Sequence, residues 1–407
     1  MSVLLNYYTE FIKNKKAKQR AVAVFLHIVN NFSAPFFNFL LSGIIIQRIS
    51  ISFWGEYISI TLLLNLAIII LAWGNKDYLL RSFSKQPSLI KSYWQENLLQ
   101  RLALCILLPA LLFIFFDYTL LRTGLILLCI LALFLYKSLE VLVLYHRSFL
   151  FSLILELTGY TALLAFAFFY PAPQLTIDFL LSTFGIITAL KLILTAVYFR
   201  NDIFPFKKIT GFFKFNSLRV AIPFFLPALV GLLQGKMDLY CTSYFLAATE
   251  VGKYQVFMNL LTIPHALAGF AFMPFLKNIY RLPENSLLKI QRRVYLLSFL
   301  VPIPALFFIV LIFKKYYLLS LDPVMYLLGY FQLIPFFVYF LLIQLLFRRD
   351  KQMLVTKITL VTAVFNLIAS VKLIPSLGIE GAMIANLATQ WFTLICYFYY
   401  EHKAYGR

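Results

Sequence analysis

Apolar residues in this chain do not mark one helical face or alternate along strands. They run on in blocks, each long enough to cross a bilayer, with brief polar breaks between them. An apolar helix of about 18 to 20 residues spans a hydrocarbon core roughly 30 Å thick. The blocks predict twelve spans, at 21–46, 53–73, 97–116, 119–145, 149–170, 177–199, 218–247, 251–276, 293–313, 323–346, 353–373 and 380–400. The span 119–145 is long enough to hold a break. The expected class is an all-α integral membrane protein with about twelve transmembrane helices. Composition sharpens this, since 62% hydrophobic residues, 13% charged residues and a mean hydropathy of +0.86 lie far from a soluble domain.

The net charge of +20 would suit a nucleic-acid partner if the basic residues formed one surface. They fall instead in alternate breaks. With the N-terminus inside, Lys13, Lys15, Lys16, Lys18 and Arg20 share a side with Lys76, Arg81, Arg147, Arg200, Lys207, Lys277, Arg293, Arg348, Lys351, Lys403 and their neighbours, 26 cations in all. The other side holds six: Arg48, Arg122, Lys253, Lys314, Lys315 and Lys372. This asymmetry puts both termini in the cytoplasm and removes the reason to invoke nucleic acid. No cleavable signal is expected, because the first apolar run is longer than a signal-peptide core. Cys105, Cys129, Cys241 and Cys396 all lie within spans without ligand spacing, so they read as packing residues.

The longest break on the basic side divides the chain. The predicted organisation is a segment 1–20, a six-helix bundle 21–199, a linker 200–217, a second six-helix bundle 218–400 and a tail 401–407. Phe53-Trp54-Gly55-Glu56-Tyr57 recurs as Glu250-Val251-Gly252-Lys253-Tyr254, an offset of 197 residues. The same offset carries the first span onto the seventh and the end of the sixth onto the twelfth, so the halves read as parallel repeats. Gly55 and Gly252 are expected at positive φ in tight outer turns. Two such bundles enclosing a cavity make transport by alternating access the default function.

The stretch Gly235 to Tyr254 resembles the seventh-helix signature of polysaccharide flippases of the MOP exporter superfamily: Asp238, then Phe245-Leu246, then Val251-Gly252-x-Tyr254. Leu377-Gly378-Ile379-Glu380-Gly381-Ala382-Met383-Ile384-Ala385 is similar to that family's entry into the twelfth helix, with Met383 in place of a small residue. The resemblance implies a MATE-like fold and a Wzx-type flippase. Its implied substrate is an undecaprenyl-diphosphate-linked oligosaccharide moved to the outer leaflet for O-antigen, capsule or exopolysaccharide synthesis. The implied partners are that lipid-linked sugar, membrane lipid, and the polysaccharide polymerase and chain-length machinery.

Charge at membrane depth carries the candidate chemistry, since each such residue costs about 2.5 to 3.5 kcal/mol on insertion scales and faces a cavity or a partner. Lys236, Lys191, Lys137 and Arg101 are candidates for the diphosphate, with Asn31 and Gln234 for sugar hydroxyls. Lys191 and Lys236, from different halves, are expected to contribute to one site. Competing readings are an ion pair of Lys137 with Glu140, and snorkelling of Arg101 and Lys191 to the interface. Lys236 and Asp238 point about 200° apart on a helix, so at most one is a direct ligand. Asp238 and Glu156 are candidates for coupling to H⁺ or Na⁺, against a bracing role or a salt bridge to a lysine. Asn30, Gln332, Gln344, Asn366, Asn386 and Gln390 suit either sugar or interhelical hydrogen bonds. His27 and His265 lack partners at metal spacing and read as core hydrogen-bonding residues, and no cofactor or metal is called for.

Enzyme readings find no support. There is no long outer loop with catalytic carboxylates, as a membrane glycosyltransferase or polymerase would carry, and no hydrolase or phosphate-loop motif. The nearest rival is a drug exporter of the same superfamily, and buried lysines favour the flippase because exporters of cationic drugs favour acidic cavities.

Overall fold

A computed structural model describes residues 15–106, 118–205, 216–272 and 284–404. The described residues are helical almost throughout: α1 Lys15–Arg48, α2 Ile51–Ala72, α3 Asn75–Lys85, α4 Ile90–Leu102, α5 Leu120–His146, α6 Phe149–Phe169, α7 Ile177–Tyr198, α8 Asn216–Phe245, α9 Ala248–Phe272, α10 Glu284–Leu300, α11 Pro302–Leu311, α12 Pro323–Arg348 and α13 Gln352–Ala404. Among them, eight helical stretches are long and apolar enough to cross a membrane. The expected spans map onto these helices, except that parts of 97–116 and 251–276 lie outside the described residues.

Local chemistry explains where the helices start. Thr119, Thr176 and Asp322 each offer a side-chain oxygen to a backbone N–H of the first turn, at Arg122, Phe179 and Val324 respectively. Ser50 does the same for Phe53 at 3.1 Å. Arg147 ends α5 at φ 57°, and the N–H of Ser148 returns to the Val143 carbonyl at 3.0 Å, so two residues suffice to reverse the chain into α6. The break foreseen in 119–145 is absent, and α5 runs unbroken.

Three features differ from the sequence expectation. The break after the second span is not a loop: the chain turns at Trp73 and Gly74 (φ 46° and 67°) and resumes as α3, whose Leu79 and Phe83 are fully enclosed. Gly74 is required twice over, by that φ and by backbone atoms of Phe224 and Phe225 within 3 Å of any added Cβ. The last two spans are two helices that meet without a loop between them, at a kink at Gly378 (φ 61°, ψ −138°) within α13, so the family-like motif at 377–385 marks that kink.

Gly55 and Gly252 are the third. Both are helical, in α2 and α9, and neither has positive φ. Their missing side chains are needed for packing instead: a Cβ on Gly55 would lie 1.7 Å from the Ala248 carbonyl oxygen, and one on Gly252 would lie 2.5 Å from the Ile51 carbonyl oxygen. Residues 51 and 248, like 55 and 252, are separated by the repeat offset of 197, so the contact is reciprocal. Beside it the Trp54 indole N–H donates to Gln255 Oε1 at 2.8 Å.

The chain divides into two compact units, Met1–Ile44 with Leu64–Leu226, and Ile45–Leu63 with Pro227–Arg407. In the first, α5 packs along α7, and Trp73 stacks on Phe225 at 4.2 Å while its N–H donates to the Leu218 carbonyl. In the second, α12 packs along α13 through Leu341, Leu342, Leu345, Ile358, Leu394 and Tyr397. The cysteines are free thiols, Cys129 and Cys241 buried.

Candidate functional site

Three clusters of buried polar side chains stand at helix depth among the described residues. The first lies in the unit that holds α5, α6 and α7, around Glu156. Lys191 Nζ donates to Glu156 Oε2 at 2.5 Å, and the Tyr136 hydroxyl donates to Oε1 at 2.7 Å. Both charged side chains are nearly enclosed, at 11% and 12% exposure. The ammonium also sits over the rings of Tyr160 and Tyr136, 4.7 and 5.6 Å from their centroids, where the π-face adds to its stabilisation. Gly159 makes room for the lysine arm, since a Cβ there would stand 2.3 Å from Lys191 Cε. Phe37 of α1 stacks on Tyr160 at 5.2 Å. Lys137, next to Tyr136, is ion-paired with Glu140 at i, i+3, and both are partly exposed.

The second cluster belongs to Arg101, which is 1% exposed at the end of α4. Its Nε donates to Asn97 Oδ1 at 2.8 Å, Nη2 to Ser138 Oγ at 3.1 Å and Nη1 to the Leu71 carbonyl at 3.4 Å, with the Phe134 ring 5.0 Å away. Leu71 is in the last turn of α2, whose carbonyls lose their partners where the chain breaks at Trp73 and Gly74, so the guanidinium caps a helix end. Arg101 therefore does not snorkel, and no carboxylate among the described residues pairs with it.

The third cluster, in the other unit, surrounds Asp238 at 1% exposure. Its Oδ2 accepts from the Tyr254 hydroxyl and from Asn386 Nδ2 at 2.7 Å. Asn386 Oδ1 in turn accepts from Gln332 and Gln390, and the Tyr339 hydroxyl donates to Gln390. Asp238 Oδ1 and Gln332 Oε1 are buried acceptors with no donor among the described residues. Gln234 Nε2 donates to Thr362 Oγ1 at 3.0 Å. Lys236 is half-buried and makes no hydrogen bond or ion pair with the described residues.

Sequence reasoning named most of the charged members, quoted Tyr254 only as part of a turn motif, and missed Tyr136, Tyr160, Gly159, Asn97 and Ser138. The available signal was that Glu156, Gly159 and Tyr160 share one helix face. Of the remaining candidates, Asn30 donates to Ser152 Oγ at 3.1 Å, and His265 stacks on Phe336 at 3.5 Å with its Nε2 unbonded. The side chains of Asn31 and His27 lie outside the described residues. Among those residues no group of three or more His, Cys, Asp or Glu is placed to hold a metal ion.

Solved structures share this architecture. The lipid II flippase MurJ, in an inward closed conformation, matches with a TM-score of 0.69 at 13% identity over 92% of this chain and 87% of that chain. An inward-facing multidrug resistance MATE family transporter of the MOP superfamily matches with a TM-score of 0.56 at 13% identity, over 91% and 94%. The eukaryotic MATE transporter AtDTX14 matches with a TM-score of 0.50 at 12% identity, over 92% and 95%. No family model and no curated protein matches the sequence. The chain shares the all-α fold of these solved structures, and its long apolar helices make it a multi-pass membrane protein.

Proposed function

We propose that this protein is a flippase that carries a polyprenyl-diphosphate-linked oligosaccharide from the inner to the outer leaflet of a bacterial inner membrane, by alternating access, during surface polysaccharide synthesis. The observation that carries the reading is Lys236, a cation within an apolar helix without a described partner; Lys191 is a second, buried cation, paired in this structure with Glu156. A diphosphate is the costly part of such a substrate to bring through hydrocarbon, and ammonium groups in a low-dielectric setting offset that cost. Lys137 and Arg101 add positive charge, although Lys137 shares its charge with Glu140 and Arg101 with helix-end acceptors. Asn31 and Gln234 remain proposed sugar contacts. Likeness of fold to the lipid II flippase MurJ also supports a lipid-linked substrate.

Asp238 and Glu156 are proposed as the coupling groups for H⁺ or Na⁺. The free Oδ1 of Asp238 and the free Oε1 of Gln332 are acceptors of the kind a proton or small cation would take. Changing each carboxylate to its amide, with substrate followed in the outer leaflet under an imposed ion gradient, tests this: full gradient dependence in both variants would remove them from coupling. The principal test is export of surface polysaccharide in cells carrying Lys191→Gln with Lys236→Gln. Export should drop by about tenfold or more, the equivalent of about 1.4 kcal/mol of lost charge-assisted contact, at normal protein levels. Normal export would favour a second reading, a small-molecule exporter, which the MATE likenesses and the buried Asp238 support.

A further inference from the structure

Resting on the diphosphate reading of Lys191, we propose that this ammonium is shared in turn by two anions, the Glu156 carboxylate in the unloaded protein and the substrate diphosphate in the loaded one, so that anion arrival is accompanied by proton uptake on Glu156.

The cluster permits one anion at a time. Lys191 Nζ touches Glu156 Oε2, and its remaining sides face the rings of Tyr160 and Tyr136, which cannot accept as anions. A diphosphate bound to Lys191 beside an ionised Glu156 would set like charges a few ångströms apart where water is nearly excluded, an arrangement that low dielectric penalises heavily. Among the described residues the one other cation whose charge reaches this carboxylate is Lys137, and Glu140 holds it. The titratable groups around Glu156 are Tyr136, Lys137 and Glu140 from α5, Tyr160 from its own helix and Lys191 from α7, and Lys137 is already paired with Glu140. From α1 the described side chains nearest this face are Phe37 and Asn30, neither of which titrates near neutrality.

Neutralisation is therefore the way out for Glu156. A proton from solvent bonds to one carboxylate oxygen, the ion pair with Lys191 breaks, and no other bond changes. Tyr136 suits both states: its hydroxyl donates to the carboxylate, and its oxygen accepts from the protonated acid. Gly159 keeps the exchange geometrically open, because the lysine arm lies in the slot left by its missing side chain and swings without rebuilding the helix. Loading thus consumes a proton and release of the diphosphate frees it, linking anion transport to the proton gradient through one residue pair.

The test uses the full chain in lipid nanodiscs with inorganic pyrophosphate as probe. Calorimetric titration at neutral pH in two buffers of different ionisation enthalpy yields protons taken up per anion bound. Wild type should take up one proton more than Glu156→Gln, which should bind pyrophosphate at least as tightly because it offers no competing charge. Lys191→Gln should bind about tenfold more weakly or worse, and Lys191→Arg should recover part of the loss. Difference infrared spectra should show a protonated carboxylic acid on pyrophosphate addition in wild type and not in Glu156→Gln. Equal proton counts in wild type and Glu156→Gln overturn the exchange while leaving the diphosphate reading intact. Pyrophosphate binding that ignores Lys191→Gln, or no binding by wild type, overturns both.

Discussion

Arg101, singled out in sequence for its charge, is tied into the fold by its own hydrogen bonds. Three of its donors are committed, to Asn97, Ser138 and the Leu71 carbonyl, so its charge holds the end of α2, α4 and α5 together. Arg101→Gln would leave at least two of these enclosed acceptors unmet, at about 1 to 3 kcal/mol each. The expected outcome is a lower thermal midpoint in detergent together with lower abundance, with Arg101→Lys intermediate; an unchanged midpoint would contradict the capping role. Charged residues at depth are conspicuous in an apolar sequence, which is why Lys191, Glu156 and Asp238 were legible one by one. Their pairing was less so: Lys191 and Glu156 are 35 positions apart on different helices, Tyr136 carries no charge to draw notice, and Asn386 stood out only as one of several amides suited to sugar or interhelical bonds.

At the scale of elements, hydropathy gave the spans and where they part, but not the form of the breaks. The block pattern reports burial in lipid, not backbone torsion, so the gap expected at 374–379 proves to be a kink at Gly378, and the resumption of the chain as α3 after Gly74 lay hidden in an amphipathic stretch. Replacing Gly378 with Ala places a side chain at φ 61°, ψ −138°, for which strain of about 1 to 3 kcal/mol is expected, read as a fall in thermal midpoint. The Gly55 and Gly252 repeat was found for the right positions and the wrong reason. Ala at either site overpacks a backbone contact, a class of change that costs about 1 to 3 kcal/mol or more. The Gly55→Ala protein should be the less stable of the two, because its Cβ would meet a carbonyl at 1.7 Å against 2.5 Å for Gly252→Ala. Equal midpoints for both variants and wild type would mean that the helices separate freely at this crossing.

For the molecule as a whole, an all-α membrane fold was legible from the apolar blocks, and two short motifs pointed to the fold shared with the solved transporters, although sequence identity to them is only 13%. The charge asymmetry makes a prediction of its own: in intact cells a membrane-impermeant maleimide should label Ala247→Cys, between α8 and α9, and should reach Lys351→Cys, before α13, only after permeabilisation. The reverse pattern would invert the topology. The crossing of α2 and α9 carries a wider implication. Ile51 meets Gly252 while Ala248 meets Gly55, which is the self-complementary pattern of an isologous dimer interface, here written twice into one polypeptide. Two copies of a half-length chain with glycine at that position would make the same pair of contacts with each other, so one substitution at the crossing is felt on both of its sides.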